Sequence, residues 1–296
     1  MARSLDVQTP LGPQFFLLLE FTGQEHLSRL GEFTLRLKCK QPDISAQQML
    51  GQNLTARVEL FGNKARYFNG YVTRWSGVTE LRDSIDGVKE TKAYVYEATV
   101  HPWLWCLTRQ SNSRIFQNKT VPQIVEEVFK AYGGLASFKL NLTGRYRDWE
   151  YCCQYRETDF NFVARLLEQE GIYWYVEHEN GKHSLTLVDS SSAHASYPGY
   201  DEVRFDREDR ERQEMLTSWQ GQHQIQPTRY TVKDYDPLKP RTNLQGSATR
   251  LAIHPLGNFE YFDYPAEYVK AAEGESYARI RIAEPRRQNA NNGVGF

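Results

Sequence analysis

Cysteine is scarce in this 296-residue chain: Cys39, Cys106, Cys152 and Cys153 are the four, and none stands in C-x-x-C spacing. No metal site is therefore expected, and there is no disulfide framework, which suits folding in a reducing cytoplasm. Cys152 and Cys153 are neighbours, and on a strand they face opposite ways. Long apolar runs are missing as well. The longest, Phe15–Leu19, falls far short of a bilayer span, so no stable membrane anchor is expected. Met1–Pro10 has neither an apolar core nor a cleavage pattern, so no signal peptide is expected and export would need another route. Neither sign of charge dominates: 36 Lys and Arg face 37 Asp and Glu, for a formal net charge of -1. A nucleic-acid partner normally requires a basic excess or stripe, so none is expected. Glycines do not gather into a phosphate-cradling loop, no G-x-S-x-G elbow is present, and no short repeat or heptad is visible.

Aromatic surface is what the chain has in abundance. With 18 Tyr, 15 Phe and 6 Trp, aromatics make up 13% of the residues; they favour pleated, half-buried strands and protein interfaces. Phe33, Leu35, Leu37 and Cys39 alternate with Thr34, Arg36 and Lys38, and Leu54, Ala56, Val58 and Leu60 with Thr55, Arg57 and Glu59. That is the period of a strand with one buried face. Asn69-Gly70, between Arg66–Phe68 and Tyr71–Trp75, predicts a two-residue hairpin turn, and Asp86-Gly87 predicts another before Tyr94–Val100. Four or more strands with short turns suggest a small barrel or sandwich.

The middle third changes period. Thr120-x-x-Gln123 is a capping box with Pro122 in the first turn, and Val121, Ile124, Val125, Val128, Phe129 and Tyr132 follow at helical spacing until Gly133-Gly134. A second helix is predicted from Thr158 or Asp159 to Gly171, burying Phe160, Val163, Leu166 and Leu167. Ile172–Glu177 and Ser184–Val188 then form a hairpin around Asn180-Gly181. In the last third, Asp206–Glu214 reads as a solvated charged loop, Arg229–Tyr235 as a strand, Ala266–Glu284 as a helix weakened by Gly274, and Arg286–Phe296 as a frayed stop.

No group of residues assembles a catalytic constellation. His178-Glu179 and His183 resemble a zinc-protease pair, but the spacing is one residue too long and Asn180-Gly181 makes a hairpin where that chemistry needs a helix. Glu157 and Asp159 could pose as the acid and base of a glycoside hydrolase; the plainer reading has Asp159 capping the second helix and Glu157 at a strand end. His101-Pro102-Trp103 with Trp105 reads as core and domain junction, and Ser190-Ser191-Ser192 as a polar loop. The chain is accordingly not expected to be an enzyme, nor to need a cofactor.

Two segments carry a family resemblance: Arg114-Ile-Phe-Gln117 with Thr120-Val-Pro-x-Ile124, and Gln154-Tyr-Arg-Glu-Thr-Asp-Phe160 continuing through Arg165-Leu-Leu-Glu168 and Glu170-Gly-Ile172 to His178. Together with Asp234-Tyr-Asp236, Lys239-Pro240 and Asp263-Tyr-Pro265, they resemble the N-terminal hub region of VgrG proteins, tail-spike components of the type VI secretion system. The resemblance implies a mainly β fold with α+β elements, similar to contractile phage tail hubs: two small β-barrel-like domains and a connecting segment with helices. On that basis 1–108 would be the first hub domain, 109–205 the second, and 206–296 a connector toward an OB-fold and needle that family members carry. It further implies a homotrimer whose six barrels dock on the hexameric Hcp tube, assembly in the bacterial cytoplasm, export by the secretion system itself, and effectors or adaptors as partners. Asn69, Gly70, Asn180 and Gly181, as exposed turns of the two barrels, are the expected contact positions. The competing expectation is a glycan-processing or glycan-binding envelope protein.

Overall fold

A computed structural model of the chain describes residues 5–60, 64–85, 89–194, 204–205, 215–221, 225–251, 255–257, 259–283 and 291–295. Two compact units emerge: one holds 1–165 and 172–194, the other 166–171 and 195–296.

The first unit begins with β1 (Leu5–Gln8), β2 (Leu17–Gln24), β3 (Glu32–Cys39), the short α1 (Ala46–Met49), β4 (Asn53–Glu59), β5 (Ala65–Ile85) and β6 (Lys89–His101). These six strands form one antiparallel sheet in the order β1-β4-β5-β6-β3-β2. Its outer strands β1 and β2 approach each other without pairing, so the sheet curls toward a barrel. Bulges in β5 between Val72 and Arg74 and between Ser76 and Thr79 add the local twist that such curling needs. The alternation in β3 does what its period implies. Phe33, Leu35, Leu37 and Cys39 are buried, and Leu35 and Leu37 sit opposite Ala98 and Tyr96 of β6. Around them pack Val7, Phe16, Leu18, Leu54, Ala56 and Val72. Tyr96 and Trp75 stack at 5.0 Å and spend their polar ends on the chain before α1: Trp75 Nε1 donates to the Ile44 carbonyl and Tyr96 Oη to that of Gln41.

The chain continues through a 3-10 turn at Trp103–Arg109 into β7 (Ser111–Phe116), β8 (Lys119–Thr120), α2 (Val121–Lys130), β9 (Phe138–Asn141), β10 (Asp148–Trp149), β11 (Cys152–Thr158), α3 (Asp159–Glu170, of which 166–170 count with the second unit), β12 (Tyr173–Glu179) and β13 (Lys182–Val188). The capping box of α2 forms as expected, with Thr120 Oγ1 accepting from the Gln123 amide and the Gln123 side chain accepting from the Thr120 amide. Gly171 adopts the positive φ that ends α3, whereas α2 closes earlier than expected, at a right-handed Ala131, and Gly133 opens a 3-10 turn. β13 pairs antiparallel with β12 and parallel with β9, a crossover that carries the chain between two distant strands. Cys152 is buried and Cys153 exposed, on opposite faces of β11.

The second unit holds β14 (Arg204–Phe205), β15 (Met215–Gly221), β16 (Arg229–Asp234), β17 (Leu244–Thr249), β18 (Glu260–Asp263), α4 (Ala271–Ala283) and β19 (Asn291–Gly295). One sheet runs β14-β15-β19 and another β17-β16-β18, with α4 packed on the latter through Val232, Leu244, Tyr268, Tyr277, Ala278 and Ile282. Gly274 is not a flaw in this helix. A Cβ there would lie under 3.0 Å from the Tyr268 ring, and one on Gly246 of β17 under 3.0 Å from the Gly274 backbone, so the two glycines let helix and strand touch main chain to main chain.

Several expectations need correction. Asn69-Gly70 is not a turn: it lies inside β5, opposite Thr55 and Leu54 of β4. The β4–β5 connection falls earlier, where the Leu60 amide bonds to the Lys64 carbonyl. Gly70 is glycine for another reason, since a Cβ there would meet the His101 carbonyl oxygen at 2.5 Å. Asp159 does not cap α3; the cap is Thr158, whose Oγ1 accepts from the Asn161 amide, while the Asp159 side chain turns inward. In α3 it is Phe162 that reaches the core, and Phe160 is half-buried against Trp174. α4 starts at Ala271, after a stretch fixed by Tyr268, and Asn291–Gly295 is a paired strand where a frayed end was expected. The Asp86-Gly87 turn and the Asp206–Glu214 loop lie outside the described residues.

Candidate functional site

The two Asn-Gly pairs singled out from sequence meet at one place. Asn180-Gly181 is an exposed turn between β12 and β13, with Gly181 at φ +80°. Asn69 is fully buried on β5. Thr55 on β4 joins them: its Oγ1 accepts from Asn69 Nδ2 at 2.7 Å and from the Gly181 amide at 3.2 Å. Asn69 also exchanges side-chain bonds with Asn53 at 2.7 and 3.2 Å. Its Oδ1 lies 2.6 Å from His183 Nδ1, and its backbone amide donates to His178 Nδ1 at 3.0 Å. His183 Nε2 in turn accepts from the Trp103 amide at 2.8 Å, and His178 Nε2 reaches Glu25 Oε1 at 2.9 Å.

This is a polar seam between the first sheet and the β12–β13 hairpin in which the buried side chains of Asn69 and His183 are both hydrogen-bonded. A second strip of the seam is main chain: the Ser28 amide donates to the Trp174 carbonyl at 2.9 Å and covers the free edge of β12. Sequence reading noticed Asn69 and both histidines but assigned each to something else. The signal it lacked was pairing across more than a hundred residues. Because Asn69 is the common partner, Asn69→Ala should leave the His183 Nδ1–H without its acceptor in a dry place and Thr55 with the Gly181 amide alone. A loss of about 2–3 kcal/mol is expected, measured as a lower urea midpoint at unchanged slope; an unchanged midpoint would show the seam to be incidental.

The carboxylates weighed for hydrolysis are committed elsewhere. Glu157 is held bidentately by Arg165, at 2.8 to 3.1 Å. Asp159, with no exposed surface, accepts from Arg114 Nη2 at 2.9 Å, Gln154 Nε2 at 2.8 Å and Tyr132 Oη at 2.9 Å. Burial, and then the bond to Asp159, push the Tyr132 hydroxyl pKa above its ordinary value. Arrays like this hold a fold together; a paired acid and base would need open space between them. His101 stacks on Trp105 at 5.2 Å, and its Nδ1 bonds Thr73 Oγ1 at 2.7 Å. Its pKa is lowered, chiefly by burial, against the opposing pull of Glu32. Among the described residues no cluster of three or more His, Cys, Asp or Glu side chains is placed to hold a metal ion. No helix among them is long and apolar enough to cross a membrane.

What the described surface does offer is exposed aromatic and aliphatic side chains. In the first unit, Ile115 and Tyr155 stand out from the paired strands β7 and β11, beside the exposed Cys153. In the second, Phe259, Tyr261, Phe262 and Tyr264 are each more than half exposed along β18 and its ends. Neither patch converges polar groups as a small-molecule site would. Both suit contact with protein.

Comparisons with known proteins agree with this picture. The profile of the phage tail baseplate hub (GPD) family matches residues 24–294. The type VI secretion system spike protein VgrG1a of Pseudomonas aeruginosa is 40% identical over 285 residues, which is 95% of this chain and 43% of that protein. The chain thus spans less than half of the curated relative it matches. Among solved structures, the Escherichia coli c3393 protein, described as a type VI secretion component similar to bacteriophage T4 tail proteins gp27 and gp5, shares the fold with a TM-score of 0.58 at 24% identity, covering 75% of this chain and 56% of that one. A 43 kDa prophage tail protein of Shewanella oneidensis gives 0.59 at 15% identity, covering 95% and 80%.

Proposed function

Because the chain belongs to the phage tail baseplate hub (GPD) family, we propose that it is the hub of a type VI secretion spike, a structural part that does no chemistry of its own. The observation that carries this is the extent of the likeness: hub-family sequence runs through both units, and 95% of the chain aligns with a spike protein at 40% identity. The absence of an open carboxylate pair at Glu157 and Asp159, both held in ion pairs, weighs against the glycan-processing reading.

In this proposal three copies form a ring, and each contributes two docking domains, 1–108 and 109–205, so that a threefold body matches a sixfold tube of Hcp. The symmetry argument is general: a trimer offers six equivalent contacts only if each chain supplies two. The segment 206–296 would lead toward the needle, which would carry effectors or adaptors, and export would follow from assembly onto the tube in the cytoplasm. Asn180 and Gly181 stay candidate contacts, since their turn is exposed; Asn69 and Gly70 are buried and act on a partner only by holding that turn in place. Light scattering on the purified chain, alone and with Hcp rings, tests the proposal. A species of three 34.5 kDa chains that grows when Hcp is added is the expected result. A chain that stays at 34.5 kDa and ignores Hcp would remove both the trimer and the tube from the reading.

A further inference from the structure

The β12–β13 hairpin is held against the first sheet by bonds that only uncharged imidazoles can make. A backbone N–H donates and never accepts, so the Trp103 amide, 2.8 Å from His183 Nε2, requires a lone pair there. The one ring proton of His183 then sits on Nδ1 and goes to Asn69 Oδ1 at 2.6 Å. His178 has the opposite tautomer for the same reason. The Asn69 amide donates to its Nδ1 at 3.0 Å, which leaves Nε2–H for Glu25 Oε1 at 2.9 Å. Adding a proton to the His183 ring would set its Nε2–H against the Trp103 N–H and turn a bond into a repulsion. We infer that this hairpin is a proton-sensitive latch on the first sheet, closed while His183 is neutral and released when that ring takes up a proton.

The surroundings of His183 favour the neutral ring. From its own hairpin comes His178, 6.0 Å away ring to ring, whose charge would oppose a second one. From β5 come Asn69 and the Tyr71 ring at 5.7 Å, and from the segment after β6 the Trp103 amide. Glu25 bonds to His178, and its other oxygen lies 3.8 Å from Arg66 of β5. Phe33 and Phe68 close against His178 at 5.5 and 6.1 Å, and Glu179 and Lys182 at the hairpin tip pair with each other at 3.0 Å. Among the described residues no carboxylate pairs with His183. Burial first, and then His178, lower its pKa from 6.5 to about 4.

The direction of the pH response follows. In the released hairpin the ring titrates near its ordinary value, so between 6.5 and about 4 the open form binds a proton that the closed form does not. Closure is fully favoured above that window. The ratio of open to closed rises about tenfold for each pH unit lost within it and levels off below. This latch depends on the seam alone and stands whether or not the spike reading holds.

The test uses the whole chain, with imidazole nitrogen shifts and amide exchange followed from about pH 7.5 to about pH 4, exchange being corrected for its intrinsic pH dependence. At the neutral end His183 should show the Nδ1–H tautomer and His178 the Nε2–H tautomer. Opening at the Trp103 and Gly181 amides should increase about fortyfold between pH 6.5 and pH 4.5 while the β3 and β6 amides keep their protection. The opposite His183 tautomer, a flat profile, or loss of β3 and β6 protection in the same step would each overturn the latch. His183→Asn, which keeps a donor toward Asn69 and cannot charge, should flatten the response, and His178→Gln should preserve it. The reverse pattern would assign the titration to His178 and defeat the inference. Should His183→Asn fail to fold, the tautomers and the wild-type profile still decide.

Discussion

Gly246→Ala is expected to unseat α4 from the β16–β17 sheet at a cost of about 3 kcal/mol, the upper part of the usual range for overpacking. A methyl group on a strand normally meets the tip of some side chain, which can rotate away. Here the added Cβ would meet the carbonyl carbon and oxygen of Gly274 and the amide of Glu275, which are main chain. Helix and strand would have to separate along their whole contact. That separation loosens Leu244, Ala248 and Ala278 together and breaks the bonds from the Tyr268 hydroxyl to the Val232 and Leu244 carbonyls. Amide exchange should show α4 opening while the β3 and β6 amides stay protected. Gly181→Ala serves as the control: φ there is +80° but nothing lies within 4 Å of the added carbon, so only backbone strain of about 1 kcal/mol is expected. Equal midpoints for Gly246→Ala and wild type would show that the close approach is not a constraint.

Arg114→Ala should cost as much or more, about 3–5 kcal/mol, because it strips the counter-ion from a buried carboxylate. The Asp159 side chain is 1% exposed and that of Arg114 26%, so solvent cannot replace the guanidinium. Gln154 and Tyr132 would remain as neutral donors to a full charge. Arg114→Lys should recover little, since one ammonium cannot reach both Gln154 Oε1 and Asp159 Oδ1, which the guanidinium bonds at 2.8 and 2.9 Å. The double variant Arg114→Met with Asp159→Leu removes both charges at once and should be more stable than Arg114→Ala alone. Thermal melts of the three proteins decide the matter. A double variant no better than the single one would mean that packing, not charge, governs the site.

These two sites show what sequence reading can and cannot reach. Arg114, Gln154 and Asp159 lie in the two segments that carried the family resemblance, and the structure explains the link: they form one ion-pair array. Local signals such as the Thr120 capping box, the β3 alternation and the Asn180-Gly181 turn were legible because their physics lies within a few residues. Asn69-Gly70 misled because a dipeptide suited to a turn is also suited to a buried amide beside a backbone contact, and only the fold distinguishes the two. Gly274 looked like a weakness since its reason, the Tyr268 ring and β17, lies elsewhere in the chain. The meeting of His178 and His183 with Asn69 was out of reach for the same cause.

The seam has a last consequence, in the order of events as the chain is made. His178 and Glu25 are 153 residues apart, Trp174 and Ser28 146, and His183 and Asn69 114. The six strands of the first sheet are complete once His101 has emerged, yet the imidazole that bonds Asn69 Oδ1 arrives only with His183. At ordinary rates of synthesis that interval is roughly ten seconds, far longer than a sheet needs to collapse. During it the nascent sheet exposes the face that the hairpin will cover, with donors and acceptors in place and no chain to meet them. Contacts so distant slow folding and leave a sticky surface waiting, so a chain arrested before residue 173 should be the form most prone to aggregate and to engage chaperones.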